Sequence, residues 1–227
     1  MLDIESDESL ETYDEFLEEV SSKPFCFVEG NNKFFYQQIK ELYPYVVDNG
    51  GNCIDIIEKV EHDKDKVGII DNDYRDKTKH FDNIVKIDYY SIENIALQKV
   101  PEFTCLKNEL KKNQLEELKI HDIKVNFFPQ EIENANFELL LGRKYTEDTR
   151  INYVQGTITS VDSLIKYKNL KVAVEGTSRY LKMKFQKNIQ YINDLHNYIN
   201  DKSLKEILSK DEYNRFLVID KSVRKQV

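Results

Sequence analysis

Three acidic side chains stand where a chain of this pattern can do phosphate chemistry. Glu29 closes the apolar run Phe25-Cys26-Phe27-Val28, and Asp71 and Asp73 follow the run Val67-Gly68-Ile69-Ile70. Aspartates at i and i+2 point to the same face of an extended chain. At a strand end such a pair can reach one hard cation through oxygen. A glutamate from another strand end completes the set, or moves a proton to or from the reacting oxygen. Crowded carboxylates repel unless a cation neutralises them, so the set suits Mg2+. Mg2+ in turn stabilises phosphoryl charge and activates water. Asp71-Asn72-Asp73 also has the composition of a plain turn. Its place after apolar runs of strand length, in the right order, favours the metal reading.

The elements around these acids read as alternating strands and helices. Short strands are expected at 25–28, 45–47, 67–70 and 84–87, the first buried on both faces. Helices are expected at 31–42, carrying Phe34, Phe35, Ile39 and Leu42, and from Asn52, with Ile54, Ile57 and Val60 inside. Ser91 reads as a cap for a helix over 92–97. This order predicts an α/β fold with a mainly parallel sheet, whose chemistry lies at the carboxyl ends of its strands. After Pro101 the chain reads as helical, at 102–120, 129–142, 157–167, 177–199 and 203–214. The expected organisation is an acidic helix over 1–21, the sheet domain over 22–100 and a helical region over 101–227.

Composition removes several function classes. The chain has 227 residues, of which 40% are apolar and 33% charged. That is enough to bury a core, and 14 Tyr and 12 Phe argue against disorder throughout. No apolar run approaches the ~20 residues of a membrane span, and the start MLDIESDESLE is not expected to be a signal peptide. Cys26, Cys53 and Cys105 form no CxxC pair and are expected to be small buried hydrophobes in a reducing cytoplasm. The four histidines show no metal-binding spacing. No GxxxxGK[ST] pattern occurs, so any ATPase must be another protein.

Charge is segregated. Residues 1–20 hold nine acids and no base, and without them the chain is near neutral. Leu10, Tyr13, Phe16, Leu17 and Val20 give that segment an apolar helical stripe. Residues 166–187 hold Lys166, Lys168, Lys171, Arg179, Lys182, Lys184 and Lys187 against Glu175 alone. This tract either follows a phosphate backbone or is a solvated helix face. On a helix Arg179, Lys182 and Lys187 share a side, and Lys184 points away. Arg75, Lys77, Lys79 and His80 follow the aspartates; they either hold phosphate near the cation or are plain solvated charge.

Phe-Val-Glu-Gly at 27–30, Ile-Ile-Asp-Asn-Asp-Tyr at 69–74 and Ile-Asp-Tyr-Tyr-Ser-Ile-Glu-Asn-Ile at 87–95 together resemble a Toprim domain. More narrowly, they resemble the DUF4435 branch, akin to the overcoming-lysogenization-defect (OLD) nucleases. That branch includes the Toprim effector of the phage anti-restriction-induced (PARIS) system. The resemblance covers about residues 22–100 and implies a general acid or base at Glu29 and Mg2+, or Mn2+, held by Asp71, Asp73 and Glu29. Glu93 matches a Ser-x-Glu-Asn element of the branch. It is either a further metal-side carboxylate or a hydrogen-bond acceptor at a helix start. Many relatives carry an acid four residues after the first glutamate, where this chain has Lys33. The implied function is a metal-dependent endonuclease on RNA such as tRNA, or on DNA. It would be a toxic effector of antiphage defence beside an ATP-binding-cassette (ABC) ATPase partner, with a homodimer also in scope. The rival expectation is an inactive module whose helical half docks a partner protein.

Overall fold

The computed structural model describes residues 23–72, 81–122, 160–185 and 191–225. Its centre is a four-stranded parallel sheet in the order β2-β1-β3-β4. The strands are β1 (Phe25–Glu29), β2 (Val46–Gly51), β3 (Lys66–Ile70) and β4 (Ile84–Lys86). β1 and β3 pair side by side, with Val28 opposite Ile69. Both are interior strands, so Cys26, Val28, Val67 and Ile69 are fully enclosed.

The pleat divides the side chains between two cores. Cys26, Val28, Val67, Ile69 and Val85 face the larger one. It holds α1 (Lys33–Tyr36), α3 (Ile92–Lys99) and residues from the C-terminal helices as far as Val223. Phe27, Ile70 and Ile84 face a smaller core under α2 (Cys53–Glu61). The first strand is therefore less deeply buried than a two-faced core strand, because Phe25 at its start is exposed. α1 and α2 lie on opposite faces, as right-handed crossovers require when a sheet grows first one way and then the other. The direction reverses between β1 and β3.

The described helical half comprises α4 (Thr104–Ile120), α5 (Val161–Tyr167), α6 (Lys171–Phe185), α7 (Tyr191–Asp194) and α8 (Lys210–Val223). Leu170, Val174, Leu195, Leu204 and Phe216 join the larger core, so this half packs directly on the sheet. No helix among the described residues is long and apolar enough to cross a membrane.

Several local expectations need correction. The helix expected over 31–42 is one turn plus a 3-10 turn at Lys40–Leu42. Ile39 between them is extended, at φ −88° and ψ 123°, which leaves Phe34 outside the core. β2 continues through Asp48-Asn49-Gly50-Gly51 rather than closing there, because each of these residues except Gly50 has a Cα partner on β1 or just beyond it. In α2 the buried residues are Cys53, Ile56 and Val60, with Ile54 exposed. α6 starts at Lys171, ahead of the expected 177, because Val174 anchors its first turn in the core. The expected helix over 203–214 is instead a 3-10 turn at Leu204–Glu206, a bridge from Leu208 to Ile87, and then α8. Cys105 is exposed because it lies off the Leu110, Gln114 and Leu118 stripe of α4. The expected helices over 1–21 and 129–142 lie outside the described residues.

Gly68 lets α2 close on the sheet. A Cβ there would stand 2.7 Å from Ile56 Cγ2 and 3.1 Å from Ile84 Cγ1, both in the smaller core. Gly68→Ala is therefore expected to lower stability by about 1–3 kcal/mol through overpacking. Urea unfolding reads this, and an unchanged midpoint would mean that α2 can move away freely.

Candidate active site

Local backbone geometry fixes the exit of β1. Gly30 adopts φ +68°, a conformation that favours glycine. Its N–H donates to Gly51 O at 2.8 Å, and Asn32 Nδ2 donates to Glu29 O at 2.8 Å. The Glu29 side chain reaches across to the neighbouring strand end. Its Oε2 accepts the Asp71 N–H at 2.9 Å. Glu29 and Asp71 are thus joined at the carboxyl ends of β1 and β3, where the sheet reverses direction. Crevices at such reversals are the usual ligand sites of open parallel sheets.

Glu93 comes from the first turn of α3 and is 3% exposed. Ser91 Oγ donates to its Oε2 at 2.5 Å, and Lys171 Nζ lies 3.6 Å from Oε1. Both Glu93 oxygens are therefore engaged, and it accepts a hydrogen bond at the helix start. The Lys171 ammonium is held above its ordinary pKa by Glu93 first, against partial burial, with help from Asp71 and Glu175. Tyr36 is buried and feels the same acids. Burial raises its phenol well above the usual value, and Asp71, Cys26, Glu29 and Glu93 add to this. Glu29, Asp71, Glu93 and Lys171 thus share one electrostatic neighbourhood.

Among the described residues no three His, Cys, Asp or Glu side chains converge closely enough to hold an ion. Asp73, the third acid of the expected set, lies outside them. Glu29 and Asp71 still fit Mg2+, which commonly takes one or two carboxylates and completes its shell with water and phosphate. Lys33 Nζ turns to Asp48 at 3.4 Å, and its N–H donates to Asn49 Oδ1. Arg75, Lys77, Lys79, His80 and Lys187 also lie outside the described residues.

The basic tract is not one face. Lys166 pairs with Asp88 at 2.6 Å, under the rings of Tyr89 and Tyr167. Lys168 donates to Gln114 Oε1 at 2.6 Å, and Lys171 serves Glu93. Arg179, Lys182 and Lys184 are exposed on α6. Sequence reasoning did not assign Lys171 or Tyr36 to the site. The bases of the tract look alike in sequence, and nothing local links Lys171 to a glutamate so far upstream.

The enclosed tyrosines set an alkaline limit. Burial, then Asp88 and Glu206, pushes Tyr89 up to about 12 from 10.0, and Tyr36 and Tyr45 are also raised. The charged form of tyrosine is the phenolate, so the fold favours the neutral phenol. That contribution is complete below pH 10 and is lost as pH rises toward 12. The melting temperature should fall across that window, and more shallowly in Tyr89→Phe. Identical slopes in the two proteins would remove Tyr89 from the cause.

Comparison of the chain with family models, with curated proteins and with solved structures gives no match.

Proposed function

We propose that the protein is a Mg2+-dependent nuclease that hydrolyses phosphodiester bonds in RNA, such as tRNA, or in DNA. The observation that carries this reading is the meeting of Glu29 and Asp71 at adjacent strand ends, at the point where the sheet reverses. Asp71 and Glu29 would hold the cation, with Asp73 as the further ligand that the motif implies. Mg2+ bound there would neutralise phosphoryl charge and lower the pKa of a water. Glu29, tied to the Asp71 N–H, is placed to move a proton to or from the reacting oxygen. Lys171, which pairs with Glu93 and feels Asp71, would offer a positive charge to a phosphate held at this site. Arg75, Lys77 and Lys79 are proposed phosphate contacts in the segment after Asp71.

On the resemblance of residues 22–100 to Toprim nucleases, we also propose a toxic effector role in antiphage defence with an ABC-type ATPase partner. The test is purified protein on plasmid, single-stranded DNA and total tRNA, each with Mg2+, Mn2+ or EDTA. Cleavage that EDTA abolishes is expected on at least one substrate. Intact substrate in every arm would instead favour a docking module.

A further inference from the structure

α6 starts inside the acidic site and leads away from it. Lys171, in its first turn, pairs with Glu93, and the helix then runs 15 residues, about 22 Å. Its outward surface carries two stripes. At about 100° per residue, Lys171, Glu175, Arg179 and Lys182 fall within about 80° of one another, three bases against one acid. Val172, Gly176, Tyr180 and Met183 occupy the next sector, at about 100–180°. Both stripes face solvent. Val172 and Met183 are each 82% exposed, Tyr180 is 50% exposed, and Arg179 and Lys182 are exposed. Nothing lies within 4 Å of the place a Gly176 Cβ would take, so a flat group can approach the backbone there. Val174, on the opposite side, holds the helix to the core.

We propose that this surface is a track for single-stranded nucleic acid, feeding a strand toward Glu29 and Asp71. The inference rests on the nuclease reading for its destination and on α6 for the rest. A single strand offers phosphates along one edge and unstacked base faces along the other. The basic stripe matches the first and the apolar stripe the second, with Tyr180, over whose ring Lys184 Nζ lies 5.3 Å from the centroid, as the stacking platform. In a duplex the base faces are hidden in the stack, so the apolar stripe would gain nothing from it. The basic stripe also disfavours a second copy of the same helix, which would bring like charges together.

The test is fluorescence anisotropy in EDTA, where binding is read without cleavage, using a labelled oligouridylate and a labelled duplex of equal length. The single strand should bind at least about tenfold more tightly, since one stacked base is worth about 5- to 150-fold. Tyr180→Ala should remove that preference, and Tyr180→Phe should restore it. Arg179→Ala with Lys182→Ala should weaken both forms and flatten the salt slope by about 0.7 per contact for the single strand. Lys112→Ala, on α4, is the charge control and should leave the slope unchanged. Equal binding of both forms, or a Tyr180→Ala protein that keeps its preference, overturns the proposal. So does absence of binding to either form, which would make the stripe a protein-docking face. Parallel Mg2+ cleavage assays separate this from the nuclease reading. Single-strand binding without cleavage would sink only that reading, and cleavage without strand preference would sink only the track.

Discussion

Glu29→Gln is expected to lower metal-dependent cleavage by about 10²–10⁴-fold, the range in which a positioned acid or base contributes. The fold should survive the change. The Gln amide oxygen can still accept the Asp71 N–H that Glu29 Oε2 accepts at 2.9 Å. The substitution also removes one negative charge from the neighbourhood of Asp71 and Glu93, all three of which act on Tyr36. Without metal, the melting temperature should therefore hold or rise. Rate assays and thermal melts on the same preparation separate the two possible roles. Full activity would reassign the general acid or base, and a large drop in melting temperature would make Glu29 structural.

Asn94→Ala should cause the largest loss of stability. Asn94 is 0% exposed, and its Nδ2 donates to Ile165 O at 3.0 Å and to Lys168 O at 2.8 Å. The first carbonyl lies in the last turn of α5 and the second at its C-cap, where the final C=O groups have no partner within the helix. Tyr90 N–H takes a third, Lys166 O, at 3.1 Å. The loop after β4 and the first turn of α3 thus cap α5 and fix where α6 begins, which sets Lys171 against Glu93. Alanine would strand two carbonyls, at about 2–5 kcal/mol together. Asn94→Asp should do at least as much harm, since it turns a donor into an oxygen facing carbonyls. A urea midpoint near that of the native protein would show that water replaces the cap. Cleavage should fall as well, because Lys171 loses its anchor.

The sequence made some of this fold legible and concealed the rest, for physical reasons that differ by residue. The strands of the sheet were readable as apolar runs of strand length, because interior parallel strands bury successive residues on two faces. The start of α2 was readable because its cap is local. Asn52 Oδ1 accepts from Ile54 and Asp55, and Asp55 answers to the Asn52 N–H. The split between α1 and its 3-10 turn was not readable. Phe35, Tyr36, Ile39 and Leu42 fill the core either way, and only the backbone at Ile39 distinguishes them. The neighbourhood of Glu29 and Asp71 followed from their place at strand ends. The partners of Glu93 and Asn94 did not, since Lys171 and the end of α5 meet them only through tertiary packing. Most of the basic residues in 166–171 proved to be internal partners rather than surface charge, for the same reason.

Metal-dependent chemistry requires that the acids at the ends of β1 and β3 hold a divalent ion. Mn2+ titration followed by electron paramagnetic resonance, on the native protein and on Asp71→Asn, measures this without any substrate. The native protein should bind Mn2+, Mg2+ in excess should displace it, and Asp71→Asn should bind at least about tenfold more weakly, the equivalent of about 1.4 kcal/mol. Mn2+ affinity that is unchanged by Asp71→Asn, or no binding to the native protein at all, would contradict the metal-dependent reading of the site.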